Sequence, residues 1–259
     1  MTTSLKGRTA LVTGAGRGIG RAIALELAST GVSVALVARS HDELTDCAAS
    51  IRELGGTAVV IPADVADPDQ LARCAARARD ELGGVDVLIN NAAVVWPLGP
   101  SSKVDSAEWA AAIGINVVAV ASLTFALLPA MIEHSWGRIV NVSSGVVARP
   151  ASMIGGNAYV TGKAALEAHT VNLAAELAGS GVTANTFRPG TVDTAMQSWI
   201  RGQDPDQIGA GLHQRFSRLH AEGSLITPEQ SARSLLDRLP GEATGQIWDV
   251  TDSISPSSP

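Results

Sequence analysis

The 259-residue sequence predicts a doubly wound α/β fold: a parallel sheet of about seven strands with helices on both faces. Three observations lead there. Apolar runs of strand length alternate with helix-length segments along the chain. The runs consist of Val, Ile, Leu and Ala without polar alternation, the pattern of strands covered on both faces. The first run ends in a glycine-rich turn that opens a helix, the arrangement of a nucleotide-binding βαβ unit.

In chain order, strands are expected at residues 9–13, 32–37, 58–61, 87–90, 138–142, 183–187 and 246–250. Helices are expected at 19–30, 42–54, 68–82, 106–134, 158–178 and 228–239. Residues 189–226 read as one long irregular stretch, too long for an ordinary connection and so a candidate lid or substrate loop. There is no internal repeat. A single domain over 1–254 is expected, followed by a disordered Ser/Pro tail at 255–259.

Composition excludes several classes. The net charge of −6, with 19 basic against 25 acidic residues and no Lys/Arg cluster, argues against nucleic-acid or anionic-membrane partners. Cys47 and Cys74 fall in predicted helices, outside any C-x-x-C or Cys/His cluster, so neither a disulfide nor a metal site is expected. No signal-like run opens the sequence, and a cytoplasmic location is expected. Residues 110–132 carry no charge and are long enough to cross a bilayer, which takes about 20 apolar residues. They also carry Asn116, Ser122, Thr124 and Pro129 and lie between two predicted strands, so a core helix is expected instead. The sequon at Asn141 falls in a predicted buried strand.

Between the first strand and first helix lies Thr13-Gly14-Ala15-Gly16-Arg17-Gly18-Ile19-Gly20. Glycines there permit a tight turn and bring backbone N–H groups and the helix N-terminus close to a pyrophosphate. The second strand ends at Ala38-Arg39, where an acidic residue would serve the ribose 2′-hydroxyl of NAD. A guanidinium at Arg39, helped by Arg17, suits the 2′-phosphate of NADP instead, so NADP(H) is expected ahead of NAD(H).

Tyr159 and Lys163 stand four residues apart in an Ala-rich helix, on one face. A neighbouring ammonium favours the phenolate and lets a phenol exchange protons near neutral pH. With its neighbours, this pair resembles the short-chain dehydrogenase/reductase family over nearly the whole chain. Thr13-Gly14, Gly18-Ile19-Gly20, Asp64-Val65, Asn90-Asn91-Ala92, Asn116, Ser144, Tyr159/Lys163 and Pro189-Gly190 occur in that family's order and at about its spacings.

The resemblance implies a Rossmann-type fold and an oxidoreductase that interconverts a ketone and a secondary alcohol. It implies that Asp64 and Val65 contact adenine, that Asn91 and Ala92 line the cofactor, and that Pro189, Gly190, Val192 and Thr194 hold the nicotinamide. Tyr159 is then the acid/base and Ser144 bonds the same substrate oxygen. Lys163 binds the ribose and lowers the phenol's pKa, and Asn116 holds a water in a proton relay. The tract between Ser144 and Tyr159 is about two residues longer than the family's common spacing, which leaves Ser143 as an alternative. Ala93 stands where the family often has glycine.

Other readings are a catalytically idle NADP-binding sensor, an NAD-using alcohol dehydrogenase, or a nucleotide-sugar epimerase or dehydratase. The last is opposed by the lack of a substantial C-terminal substrate domain. The mostly apolar loop residues Trp96, Leu98, Val147, Met153, Ile154, Met196, Trp199, Ile200, Leu212 and Phe216 suggest an uncharged small-molecule substrate. Arg149 and Arg201 are available to an anionic one. Helices near 110–132 and 164–177 are apolar around most of their circumference, so a homodimer or homotetramer is expected to cover them.

Overall fold

In the computed structural model, which describes residues 4–252, seven strands form one parallel sheet. They are β1 (Thr9–Thr13), β2 (Ser33–Ala38), β3 (Ala58–Pro62), β4 (Val87–Asn90), β5 (Gly137–Val142), β6 (Val182–Arg188) and β7 (Ile247–Asp249). Every strand end lies within one residue of its sequence-based position. The order is β3-β2-β1-β4-β5-β6-β7, so the winding reverses between β1 and β4. The crevice beyond the carboxyl ends of those two strands is where a doubly wound sheet receives its ligand. The tail at 255–259 lies outside the described residues.

Alternation along each strand divides the core in two. Ala10 and Val12 of β1 and Val34 and Leu36 of β2 face one layer. That layer holds α1 (Gly18–Ser29) and α2 (His41–Glu53). Leu11, Ala35 and Val37 face the other, which holds α3 (Pro68–Leu82). Cys47 and Cys74 are free buried thiols, one in each layer, and burial pushes both pKa values up, Cys74 to about 11.

The single helix expected over 106–134 is a correction: it divides into α4 (Ser106–Ile113), a π-helical turn at Gly114–Val118 and α5 (Ala119–Glu133). The cause is Asn116, fully buried in that turn. Its Oδ1 accepts from Val94 N and its Nδ2 donates to Val94 O, both at 2.9 Å. Burying an amide without partners is costly, and the wider turn lets it reach them. By length and composition 106–133 could cross a membrane, yet here Leu123, Leu127 and Met131 pack into the second core layer.

α6 (Asn157–Glu176) completes that layer. A buried polar chain joins its elements: Asn90 Nδ2 donates to Asn141 Oδ1 at 2.8 Å and to Thr124 Oγ1 at 3.3 Å. Asn141 Nδ2 donates to Thr170 Oγ1 at 2.9 Å. Every link satisfies a group that burial would otherwise penalise.

The expectation of an irregular stretch at 189–226 is overturned. It contains α7 (Ala195–Arg201), α8 (Pro205–Ile208) and α9 (Ala210–Ala221). Leu212 and Phe216, one turn apart on α9, are buried with Val95, Met153, Ile200 and Ile208 in a third apolar cluster. The glycines at 202 and 209 separate helices too short for an obvious period. α10 (Pro228–Leu236) follows, entered through a reciprocal cap between Thr227 and Gln230, and packs in the first layer through Ala232 and Leu235.

Candidate active site

The glycine turn closes over β1 and β4 through Thr13, a residue to which the sequence assigned no role of its own. Its Oγ1 accepts from Asn91 N and Ala92 N, both at 3.0 Å. Asn91 Nδ2 donates to Thr13 O at 2.9 Å, so this side chain supports the turn. A Cβ at Gly20 would lie 2.2 Å from Gly14 O, and one at Gly14 would lie 2.8 Å from Asn91 Nδ2. The turn has no space for side chains at these positions, and α1 starts at Gly18 with its N-terminus towards the crevice. This fits a dinucleotide pyrophosphate, which needs close backbone approach and free N–H groups.

Beyond the turn, Val65 lines a small void together with Thr13, Asn90 and Ala92, which places it at the crevice. Asp64 N donates to Gln70 Oε1 at 3.0 Å, and Asp64 Oδ1 accepts from Ala66 N at 3.0 Å. Arg39 is exposed at the end of β2 and has no ion-pair partner among the described residues. Arg17 instead meets Glu43 of α2 at 3.3 Å. Glu43 escaped the sequence reading because only the fold carries α2 back over the turn.

On the other side of the crevice, Pro189 O accepts from Ser231 Oγ at 2.9 Å and Gly190 has φ +82°. A side chain at Gly190 would meet Val250 at 2.7 Å. Val192 is buried and bridges Ile226. The Thr194 methyl lies 3.4 Å from a Cβ built on Gly18, so this loop meets the glycine turn.

Ser144, Tyr159 and Lys163 meet at the end of β5. The longer tract between Ser144 and Tyr159 is taken up by two 3-10 turns, Gly145–Ala148 and Pro150–Met153. Burial pushes the Tyr159 phenol above its usual pKa, and a hydrogen bond with Ser144 pulls it back. Ser143 is buried and donates to Glu167 Oε1 at 2.8 Å. Lys163 is only 2% exposed, its Nζ 5.8 Å from the Tyr159 ring centroid and 2.6 Å from Val142 O. Burial lowers the lysine pKa to about 8 against the opposing pull of Glu167. Asn116 abuts the same helix, its Cβ 3.2 Å from a Cβ built on Gly162.

Glu167 and Arg188 were not singled out by the sequence. Arg188 Nε and Nη2 grip Glu167 Oε1 and Oε2, each at 2.8 Å. The only signal available was the continuation of the Tyr159/Lys163 spacing by four more residues.

Of the apolar pocket candidates, Met153, Ile200, Leu212 and Phe216 form the third core cluster, with Leu98, Met196 and Tyr159 packed against it. Ile154 and Trp199 are exposed. A cavity of about 370 Å³ lies between Ala151–Gly155 and the residues from Ile208 to Leu212.

The reversed strand order, bare glycine turn and Tyr/Lys pair define a dinucleotide-dependent oxidoreductase of the doubly wound class. The short chain dehydrogenase family profile matches residues 8–205. The chain belongs to the short-chain dehydrogenase/reductase family. It is 39% identical over 196 residues to a short chain dehydrogenase from Pseudocercospora fijiensis, covering 74% of this chain and 62% of that protein. It is 36% identical over 256 residues to the ketoacyl reductase HetN of Nostoc sp. (strain PCC 7120), covering 98% of this chain and 83% of that one. Among solved structures, actinorhodin polyketide ketoreductase with NADPH matches with a TM-score of 0.85 at 30% identity, over 96% of this chain and 97% of that one. NAD+-bound xylitol dehydrogenase matches at 0.82 and 26% identity, over 95% and 98%.

Gly20→Ala is expected to distort the turn at a cost of about 1–3 kcal/mol. Urea denaturation should register the lost stability, and fluorescence titration should give at least roughly tenfold weaker dinucleotide binding. Unchanged affinity would remove this turn from the binding site.

Proposed function

We propose that the chain is an NADP(H)-dependent oxidoreductase that interconverts a ketone and a secondary alcohol, with Tyr159 as general acid/base. The observation that carries the reading is the buried Lys163 ammonium beside the Tyr159 ring, at 5.8 Å from its centroid. An ammonium there favours the phenolate that oxidation requires and eases its formation after reduction.

Gly14, Arg17, Gly18, Ile19 and Gly20 would hold the pyrophosphate. Arg39 would hold the 2′-phosphate, with Asp64 and Val65 at the adenine and Asn91 and Ala92 along the dinucleotide. Pro189, Gly190, Val192 and Thr194 would hold the nicotinamide. When bound, the nicotinamide supplies or accepts the hydride at the substrate carbon. Tyr159 gives its proton to the substrate oxygen in reduction and takes it back in oxidation. Ser144 donates a hydrogen bond to the same oxygen. Ser143 is assigned no such role, because its hydroxyl already donates to Glu167. Lys163 tunes the phenol and binds the ribose. Asn116 spends its amide on Val94, so the main chain of its π turn is left to hold the water of a proton relay.

The choice of NADP rests on Arg39. Glu43 favours the NAD reading in one respect, because it draws Arg17 away from a 2′-phosphate. The oligomer rests on exposed apolar side chains: Val118, Phe125 and Ile132 at seven-residue spacing, and Val171 on α6, whose His169 meets the Phe125 ring edge-on at 6.0 Å. A second copy of the chain, packed about a two-fold axis, is the proposed cover.

With a panel of ketones and NADPH followed by nicotinamide absorbance, turnover is expected, and Tyr159→Phe should lower kcat by roughly 10²–10⁴-fold. NADPH binding without turnover of any ketone would sustain the sensor reading instead. Arg39→Ala should weaken NADPH by about 10–100-fold while sparing NADH. Equal losses for both coenzymes would defeat the NADP assignment. Sedimentation velocity should find a dimer or tetramer, and Phe125→Glu should release monomers. A monomeric wild type at micromolar concentration would refute the oligomer.

A further inference from the structure

Four residues beyond Lys163, α6 carries a second charged side chain in the core. Glu167 is 5% exposed and lies one helical turn from Lys163, on the same face. It makes contacts to two strand ends at once. From β5, Ser143 Oγ donates to its Oε1 at 2.8 Å. From β6, Arg188 closes a two-point pair, Nε to Oε1 and Nη2 to Oε2, each at 2.8 Å. Ser143 precedes Ser144, and Arg188 precedes Pro189-Gly190. One carboxylate therefore ties the helix bearing Tyr159 and Lys163 to the strand ends that lead into the serine and the loop.

We propose that Glu167, gripped by Arg188, is a positioning residue that holds Lys163 in its charged form beside Tyr159. The proposal rests on the reading of Lys163 as part of the oxidoreductase site, but its test needs no turnover.

The groups facing Lys163 are few. Its own helix supplies Tyr159 and Glu167, β5 supplies the Val142 carbonyl, and the π turn supplies Asn116, which is uncharged. Behind Glu167 stands Arg188 of β6, which grips that carboxylate and is near enough to Asp249 and Asp252 to be influenced by them. Glu167 is thus the carboxylate that opposes the cost of burying the ammonium, and Arg188 partly cancels it. Removing Glu167 should destabilise the charged lysine. Removing Arg188 should leave Glu167 acting on the lysine uncancelled and stabilise it. Loss of packing alone would not produce opposite signs.

The chain has three lysines, Lys6, Lys103 and Lys163, so protein labelled with ¹³C at the lysine ε-carbon gives a spectrum of three titrating signals. In the unmodified chain the Lys163 signal should titrate near pH 8. In Glu167→Gln, which keeps an oxygen for Ser143 and loses the charge, the midpoint should fall by about one pH unit or more. In Arg188→Gln it should rise. If Glu167→Gln does not fold, the rise in Arg188→Gln remains decisive. An unmoved midpoint in either folded variant, or shifts of both in one direction, would overturn the proposal. Failure of every ketone to turn over, with the opposite shifts intact, would instead count against the proposed reaction.

Discussion

A lysine ammonium held out of water is the constraint on which the carboxyl end of the sheet depends. At 2% exposure, Lys163 cannot keep its charge without partners, because an unpaired buried ion costs several kcal/mol. Val142 O answers one donor at 2.6 Å, which fixes the end of β5 against α6. Glu167 answers the charge, and as a buried carboxylate it then needs donors of its own. Ser143 and Arg188 provide them. Satisfying one charge therefore fixes β5, β6 and α6 relative to one another, and Ser144 and Pro189 take their places as the next residues along the chain.

The strands were legible because burial on both faces leaves continuous Val, Ile, Leu and Ala runs, which polar segments then bound. The glycine turn was legible because its steric demand is local: Gly14 and Gly20 exclude side chains through neighbours only a few residues away or at the adjacent strand end. What could not be read depends on distance along the chain. Asn116 breaks the long apolar helix only because Val94 is 22 residues away in sequence yet within hydrogen-bond reach. Glu43 reaches Arg17 across 26 residues. The helices within 189–226 become amphipathic only against Val95 and Met153, which lie far upstream.

The same limit bears on the two serines. Spacing alone favoured Ser144 but left Ser143 as an alternative, since they are neighbours in a tract of unusual length. Tertiary contacts distinguish them: one hydroxyl is committed to Glu167, and the other faces the phenol. No pattern within the tract could reveal this, because the residue that decides it lies on α6.

The two ends of the crevice are built on different electrostatics. Around Lys163 the charges are buried, two-point and mutually dependent, so changing one disturbs the rest. At the glycine turn, Arg17 and Glu43 have side chains 66% and 38% exposed, and their pairing is screened by water and salt. Arg39 is exposed as well. On the proposed reading, coenzyme preference is set by surface charges that can be exchanged at little cost to the fold. The proposed proton chemistry is set in the core, where each exchange must also preserve the registration of two strands and a helix.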